Sequence, residues 1–299
     1  MIVGRHIGDL DLRVKRECDY IMEKYPTMAF NRQTWEGKPH KRGCGKNVLL
    51  AQEGIITVPM NYDVAWIKAN YDAVITYSTK FKEAHPELKV YNTQCPTNWE
   101  AYHWLEEFKG YDDKIRGICS LQTLYNWGHP LDRNFMKHKV MAELTTEPHL
   151  LLHTYGQYPF GKPESYQGFL GHRHSNYHNL KKINEYLFCY AAECISDDFW
   201  GHNYLTERVY NTFKSKTVLV YYGATNVDEL LPEHIFVDVR KFPDMQELSE
   251  HLVELSYNKK RYNEMVEEAY RWNLTTTLGD MRYQEEVYKQ AIKENPCMK

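Results

Sequence analysis

Along this chain short apolar runs alternate with stretches whose apolar residues recur at helical spacing. No other feature of the sequence constrains the fold as tightly. An apolar run with little internal alternation is buried on both faces, and a helix after each run supplies the crossover that parallel strands need. The runs predict strands at 47–51, 73–77, 89–91, 115–120, 149–154, 186–191, 217–222 and 234–237. Helical spacing predicts helices at 11–24, 99–107, 132–143, 181–186, 206–214, 245–255 and 259–270, with a final one over 279–294. The fold class is therefore α/β.

Charge rises through Glu106-Glu107-Phe108-Lys109-Gly110-Tyr111-Asp112-Asp113-Lys114, and a new strand begins at Ile115. This places a boundary at 113/114 and divides the chain into residues 1–113 and 114–299, two α/β halves with a cleft between them. In such sheets ligands bind beyond the carboxyl ends of the strands. The stretch 156–180 reads as a long loop over that edge, and long loops in compact domains are often functional.

Composition excludes several classes. With 42% apolar and 26% charged residues the chain has the balance of a globular protein. A net charge of −3 and the absence of a Lys/Arg stripe give no reason to expect a nucleic-acid partner. Seven scattered cysteines, with no CxxC pair, fit a reducing compartment rather than a disulfide framework or a zinc knuckle. No run is long and apolar enough for a membrane span, so a cytoplasmic location is expected.

Several motifs fail on their chemistry. Gly43-Cys44-Gly45-Lys46-Asn47 lacks the upstream Gly and the Ser or Thr that a phosphate loop requires. His172, His174 and His178 crowd one stretch, but a metal site needs further ligands and a fixed backbone, and no metal is expected. Ser196-Asp197-Asp198 reads as a cap or turn.

The span Asn203-Tyr204-Leu205-Thr206-Glu207-Arg208 withstands the same scrutiny. A capping Thr opens a helix whose first turn carries a carboxylate and a guanidinium, and the helix leads to a β-branched run ended by Gly223. Free N–H groups and the positive dipole end at such a start suit a phosphate. Arg208 would add a fixed cation and Glu207 an acceptor for sugar hydroxyls. Alone, the pair also reads as ordinary first-turn helix charges.

A wider set of residues resembles glycosyltransferase family ten, the α1,3/4-fucosyltransferases. Tyr186-Leu187-Phe188-Cys189-Tyr190-Ala191-Ala192-Glu193, then Tyr204-Leu205-Thr206-Glu207-Arg208, then Val220-Tyr221-Tyr222-Gly223-Ala224-Thr225-Asn226 are similar to that family's signature. The similarity continues through Leu231–Val239 and Glu247-Leu248 to Tyr262 and Trp272. Upstream, Asp132-Arg133-Asn134-Phe135 and His153-Thr154-Tyr155-Gly156 match a second block, and Leu49-Leu50-Ala51-Gln52-Glu53 and Tyr71–Tyr77 a looser third.

The resemblance implies a GT-B fold, two Rossmann-like domains facing across a cleft. Residues 1–113 would be the acceptor side. Residues 114–299 would bind the nucleotide sugar and carry the C-terminal helices. It implies an inverting glycosyltransferase that uses GDP-fucose and requires no cofactor, with an oligosaccharide or glycan acceptor. It places Arg133 and Arg208 at the diphosphate and Glu207 and Tyr204 at the ribose and sugar. Glu53 becomes the base on the acceptor hydroxyl, with an ordinary surface Glu as the alternative. Glu193 and Asn226 would support the site, and Cys194 would line the donor where the family has Asn. Arg208 stands for the family's Lys and Tyr222 for its Trp. Another GDP- or UDP-sugar donor, or a catalytically silent nucleotide- or glycan-binding protein, stays open. A chain without an anchor fits a bacterial enzyme, or a virus-encoded one acting in the host cytoplasm.

Overall fold

The computed structural model describes residues 29–31, 47–51, 53–93, 105–125, 128–146, 148–170, 176–276 and 281–294. The chain divides into two compact units. The first comprises Met1–Trp99, Asp197–Tyr204 and Thr277–Lys299, the second Glu100–Ser196 and Leu205–Thr276.

In the first unit β1 (Ala29–Asn31), β2 (Asn47–Ala51), β3 (Ala73–Thr76) and β4 (Val90–Asn92) form a parallel sheet in that order. Helix α1 (Val64–Asn70) lies between β2 and β3, and α2 (Thr79–Ala84) between β3 and β4. Both helices begin on capping side chains. Asp63 accepts from the Trp66 N–H at 2.8 Å and Ser78 from the Phe81 N–H at 3.1 Å. Each satisfies a donor that the helix itself leaves unpaired. Strand β3 is buried along its whole length, as a central parallel strand should be.

The second unit runs β5 (Ile115–Leu121), α3 (Phe135–Glu143), β6 (Leu151–Tyr155), α4 (Asn176–Asn184), β7 (Tyr186–Ala192), α5 (Glu207–Lys214), β8 (Val218–Tyr222), α6 (Val227–Leu230), β9 (Phe236–Asp238), α7 (Met245–Tyr257) and α8 (Lys259–Thr275). Its sheet is parallel, in the order β6-β5-β7-β8-β9. Alternate residues of the strands serve two cores. Phe188, Tyr190, Val218 and Val220 join Val140, Leu252 and Tyr262 on one face. Ala191, Leu219 and Tyr221 join Val209 and Phe213 on the other. The order also fixes the ligand-binding edge. The chain leaves β5 outward to β6 and then returns to β7 on the other side of β5. The topological switch point therefore lies beyond the carboxyl ends of β5 and β7.

The last helix, α9 (Met281–Glu294), belongs to the first unit. Val287 and Ala291 pack with Val48, Leu50, Ala73, Ile75 and Tyr91, and Glu294 accepts from the Tyr91 hydroxyl at 2.6 Å. Where the sequence predicts one cut at 113/114, the contacts thus return two later segments to the first unit, because apolar partners distant in the chain outweigh neighbourhood along it.

The predicted strands of the second unit fall within a few residues of β5 to β9. Three short helices, α1, α2 and α6, and the strand β1 are not predicted. The helix expected at 181–186 instead runs Asn176–Asn184, because Tyr186 already begins β7. The helix expected at 11–24 lies outside the described residues. Of the one expected at 99–107 only Leu105–Glu107 are described, and these are not helical. Among the described residues, no helix is long and apolar enough to cross a membrane.

Lys114 ties the base of the second sheet together. Its buried ammonium donates to the Asn184 carbonyl at 2.6 Å and the Thr217 hydroxyl at 3.1 Å. Burial pushes its pKa from 10.5 down to about 7. Between those values the unfolded chain holds a proton that the folded chain has released, so this group makes stability rise with pH. Burial lowers Lys137 and Lys214 likewise, each to about 8. Urea midpoints should therefore increase from pH 7 toward pH 9.5. In Lys114→Met the rise should be shallower and begin nearer pH 8; an unchanged profile would refute the assignment.

Candidate functional site

The centre of the site is a carboxylate with no exposure to solvent. Glu193 directly follows β7 and is 0% exposed. One carboxylate oxygen accepts from the Thr206 N–H at 2.9 Å and from the Thr206 hydroxyl at 2.8 Å. The other accepts from the Arg208 guanidinium at 3.2 Å. The same guanidinium nitrogen donates to the Thr206 hydroxyl at 2.8 Å. Burial pushes the Glu193 carboxyl up, while Arg208 and the Thr206 N–H pull it back. Thr206 stands at the N-cap position of α5 as predicted, yet its hydroxyl does not cap the helix. It serves as the hinge between Glu193 and Arg208, a role that a local capping rule does not foresee.

The backbone closes around this carboxylate. The Glu193 N–H donates to the Tyr222 carbonyl at 2.8 Å, joining the ends of β7 and β8. A Cβ at Gly223 would stand 2.5 Å from Glu193 Cγ and 2.3 Å from the Tyr221 hydroxyl oxygen, so only glycine fits there. The Ala224 N–H donates to the Tyr221 hydroxyl oxygen at 2.9 Å, and Arg240 donates to the Ala224 carbonyl at 2.9 Å. Arg240 is itself held by both carboxylate oxygens of Asp238, at 3.0 and 2.7 Å.

At the switch point the loop before α3 meets the loop after β7. The Arg133 N–H donates to the Cys194 carbonyl at 2.9 Å. Gln122, at the end of β5, accepts from the Ala192 N–H at 3.0 Å and donates to the Tyr190 carbonyl at 3.2 Å. Lys137, in the first turn of α3, is 3% exposed and donates to the Thr123 carbonyl at 3.3 Å. Burial lowers its pKa to about 8, helped by Arg208 and opposed by Cys194, Glu193 and Asp132. Those groups therefore share one electrostatic neighbourhood.

The structure thus brings Arg133, Glu193, Cys194 and Arg208 together in the second unit. Arg208 is 28% exposed, enough to meet a ligand. Glu207, the first residue of α5, is half-buried, and its charge also pushes the Glu193 carboxyl up. The Arg133 guanidinium is folded onto its own loop, donating to the carbonyls of Pro130 and Asp132 at 3.0 and 3.3 Å. Asn226 opens α6 and donates to Glu229 at 3.0 Å. Tyr204 and Glu53 fall in the first unit. Tyr204 is buried, with its ring 4.8 Å from that of Tyr77. Glu53 lies just after β2, half-buried, and its carbonyl accepts from the Tyr62 hydroxyl at 2.8 Å. Asp197 forms the expected turn, accepting from the N–H groups of Phe199 and Trp200 at 2.9 and 2.8 Å. His172 and His174 lie outside the described residues.

Lys137 is the residue that sequence reasoning missed. Its signal is a lysine in the first turn of α3, four residues after Arg133 in the loop that precedes the helix.

Residues 126–297, more than half of the chain, match the family described as Glycosyltransferase family 10 (fucosyltransferase) C-term. The chain belongs to glycosyltransferase family 10. Among curated relatives, an alpha-(1,4)-fucosyltransferase of Arabidopsis thaliana is 32% identical over 82 residues, covering 27% of this chain and 20% of that protein. The alpha-(1,3)-fucosyltransferase FucT of Helicobacter pylori is 28% identical over 91 residues, covering 30% and 19%. The matched segments thus span about a fifth of each relative's length. Among solved structures, an alpha1,3-fucosyltransferase aligns with a TM-score of 0.53 at 13% identity, covering 97% of this chain and 88% of that one. TarM aligns with a TM-score of 0.56 at 8% identity, covering 83% and 50%. At such identities the likeness concerns the fold, and this family 10 chain has the GT-B class, α/β with parallel sheets. The family match contains the whole Arg133–Asn226 group and leaves Glu53 outside.

Removing a buried carboxylate strands its partners. Glu193→Ala should destabilise the protein by about 1–3 kcal/mol, the cost of leaving the buried Thr206 donors without their acceptor, since Arg208 can turn to water. Gly223→Ala should cost about 1–3 kcal/mol through overpacking. Chemical denaturation reads both, and wild-type midpoints would show that the carboxylate does not hold this corner.

Proposed function

We propose that this chain is an inverting glycosyltransferase that moves L-fucose from GDP-fucose to a hydroxyl of a glycan acceptor, with no metal required. The observation that carries the reading is the switch-point cluster, in which buried Glu193 holds Arg208 at the first turn of α5 beside the Arg133–Cys194 contact. Family membership supports sugar transfer, and the names of both curated relatives favour fucose.

In this reading the bond between the sugar's anomeric carbon and the diphosphate oxygen breaks as the acceptor oxygen bonds that carbon from the opposite face. Negative charge builds on the leaving GDP. Fixed cations and the start of α5 stabilise it at no reorganisation cost, because Glu193 and Thr206 already hold Arg208 in place. Arginine's planar fork suits phosphate oxygens. The Arg133 side chain would exchange two carbonyl partners for the phosphate. Glu207 and Tyr204 would meet the ribose and sugar, and Asn226 would hold the loop after β8. Glu53 would take the acceptor's proton as general base. A thiol at Cys194, where the family pattern has an amide, favours one second reading: a different GDP- or UDP-linked sugar.

Calorimetric titration with GDP, UDP, GDP-fucose and UDP-sugars, with and without EDTA, tests the donor. Selective binding of GDP and GDP-fucose that survives EDTA is expected; preference for UDP would overturn the donor assignment. Arg208→Ala should lower turnover roughly 100- to 1,000-fold, the cost of removing one preorganised charge-stabilising group. Glu53→Gln should lose turnover while retaining GDP-fucose affinity. Near-normal turnover in either variant would remove that residue from the chemistry.

A further inference from the structure

We propose that Lys137 is a third cation of the diphosphate site, held below the switch-point loops to meet the charge of the leaving phosphate. The inference rests on the donor reading only for the identity of the anion.

Lys137 is 97% buried by exposure of the whole residue, which stands at 3%. An ammonium has three N–H donors. Among the described residues it makes one hydrogen bond, to the Thr123 carbonyl at 3.3 Å, and no ion pair. The carboxylates that influence it are engaged elsewhere. Glu193 is bound by Thr206 and Arg208. Asp132 accepts from the backbone and side-chain N–H groups of Asn134, at 2.8 and 2.7 Å. A buried charge without an opposite partner is costly, and a methionine would fill the same space without that cost. Packing alone therefore gives no account of a lysine here.

Its place supplies one. Lys137 sits on α3, directly after the loop that binds Cys194 through the Arg133 N–H, at the crevice where open α/β sheets take their ligands. Arg208 lies close enough to depress its pKa, and Arg133 is four residues back. The Arg208 guanidinium and the Lys137 ammonium repel each other, and an anion between them would relieve that repulsion. Thr123 lies in the half-exposed loop after β5, so the one bond that restrains the ammonium is made to a segment bordering the crevice. A diphosphate would supply the missing acceptors and stabilise the charged form.

The test uses the full chain and two probes, sodium pyrophosphate and GDP, titrated calorimetrically into wild type, Lys137→Met and Lys137→Arg. Lys137→Met should weaken both probes roughly 10- to 100-fold, the worth of one hydrogen bond to a charged group. Its ligand-free thermal midpoint should stay the same or rise. Lys137→Arg should keep most of the affinity. The wild-type advantage over Lys137→Met should shrink from pH 7 to pH 9, as the ligand-free ammonium, at about 8 beside Arg208, Glu193, Cys194 and Asp132, loses its proton. Equal affinities in wild type and Lys137→Met would overturn the proposal while leaving the donor reading intact. So would an affinity loss accompanied by a lower midpoint, which marks a structural lysine. Wild type that binds pyrophosphate in a Lys137-dependent way but neither GDP nor UDP would overturn the donor reading and uphold the cation. Wild type that binds no pyrophosphate would overturn the cation.

Discussion

The second unit depends on one buried carboxylate. Glu193 directly follows β7, its N–H still bonded to the Tyr222 carbonyl, and its side chain accepts three bonds from Thr206 and Arg208 at the start of α5. Taking a carboxylate out of water is expensive unless its oxygens are met by donors. Thr206 and Arg208 meet them, and both must therefore keep one position relative to β7. The bare Cα of Gly223 lets β8 end against the same carboxylate. Strand, helix start and neighbouring strand are thus registered by a single side chain.

The consequence is electrostatic preorganisation. Arg208 is partly exposed, but its orientation is set from below by a group that solvent does not reach. A guanidinium fixed in this way stabilises developing charge without first having to order itself. Lys137 adds charge from within α3 and Arg133 from the loop before it. Like charges held near one another raise the energy of the ligand-free protein, and under the proposed function the donor's diphosphate would offset that cost.

Much of this was legible in the sequence. The strands β5 to β9 are apolar runs long enough to be buried on both faces, so their positions follow from hydrophobicity alone. The Thr206-Glu207-Arg208 triplet stood out because it combines a helix start, whose free N–H groups suit an anion, with a carboxylate and a guanidinium. What stayed hidden depended on distant partners. The short helices α1, α2 and α6 contain too few turns for periodicity to show. Glu193 could be read as a supporting residue, but its pairing with Thr206, thirteen positions away, has no local signature.

The sequence by itself determined the fold class, the strands of the larger sheet and the residue types at the start of α5, because these follow from burial period and from the unpaired N–H groups of a helix start. Only the tertiary structure decided that Thr206 binds a carboxylate instead of capping its helix, that Lys137 is buried beside Arg208, and that α9 completes the first unit. Each of these is set by which groups are left without water and must find partners across the fold, and composition and spacing along the chain do not encode that distance.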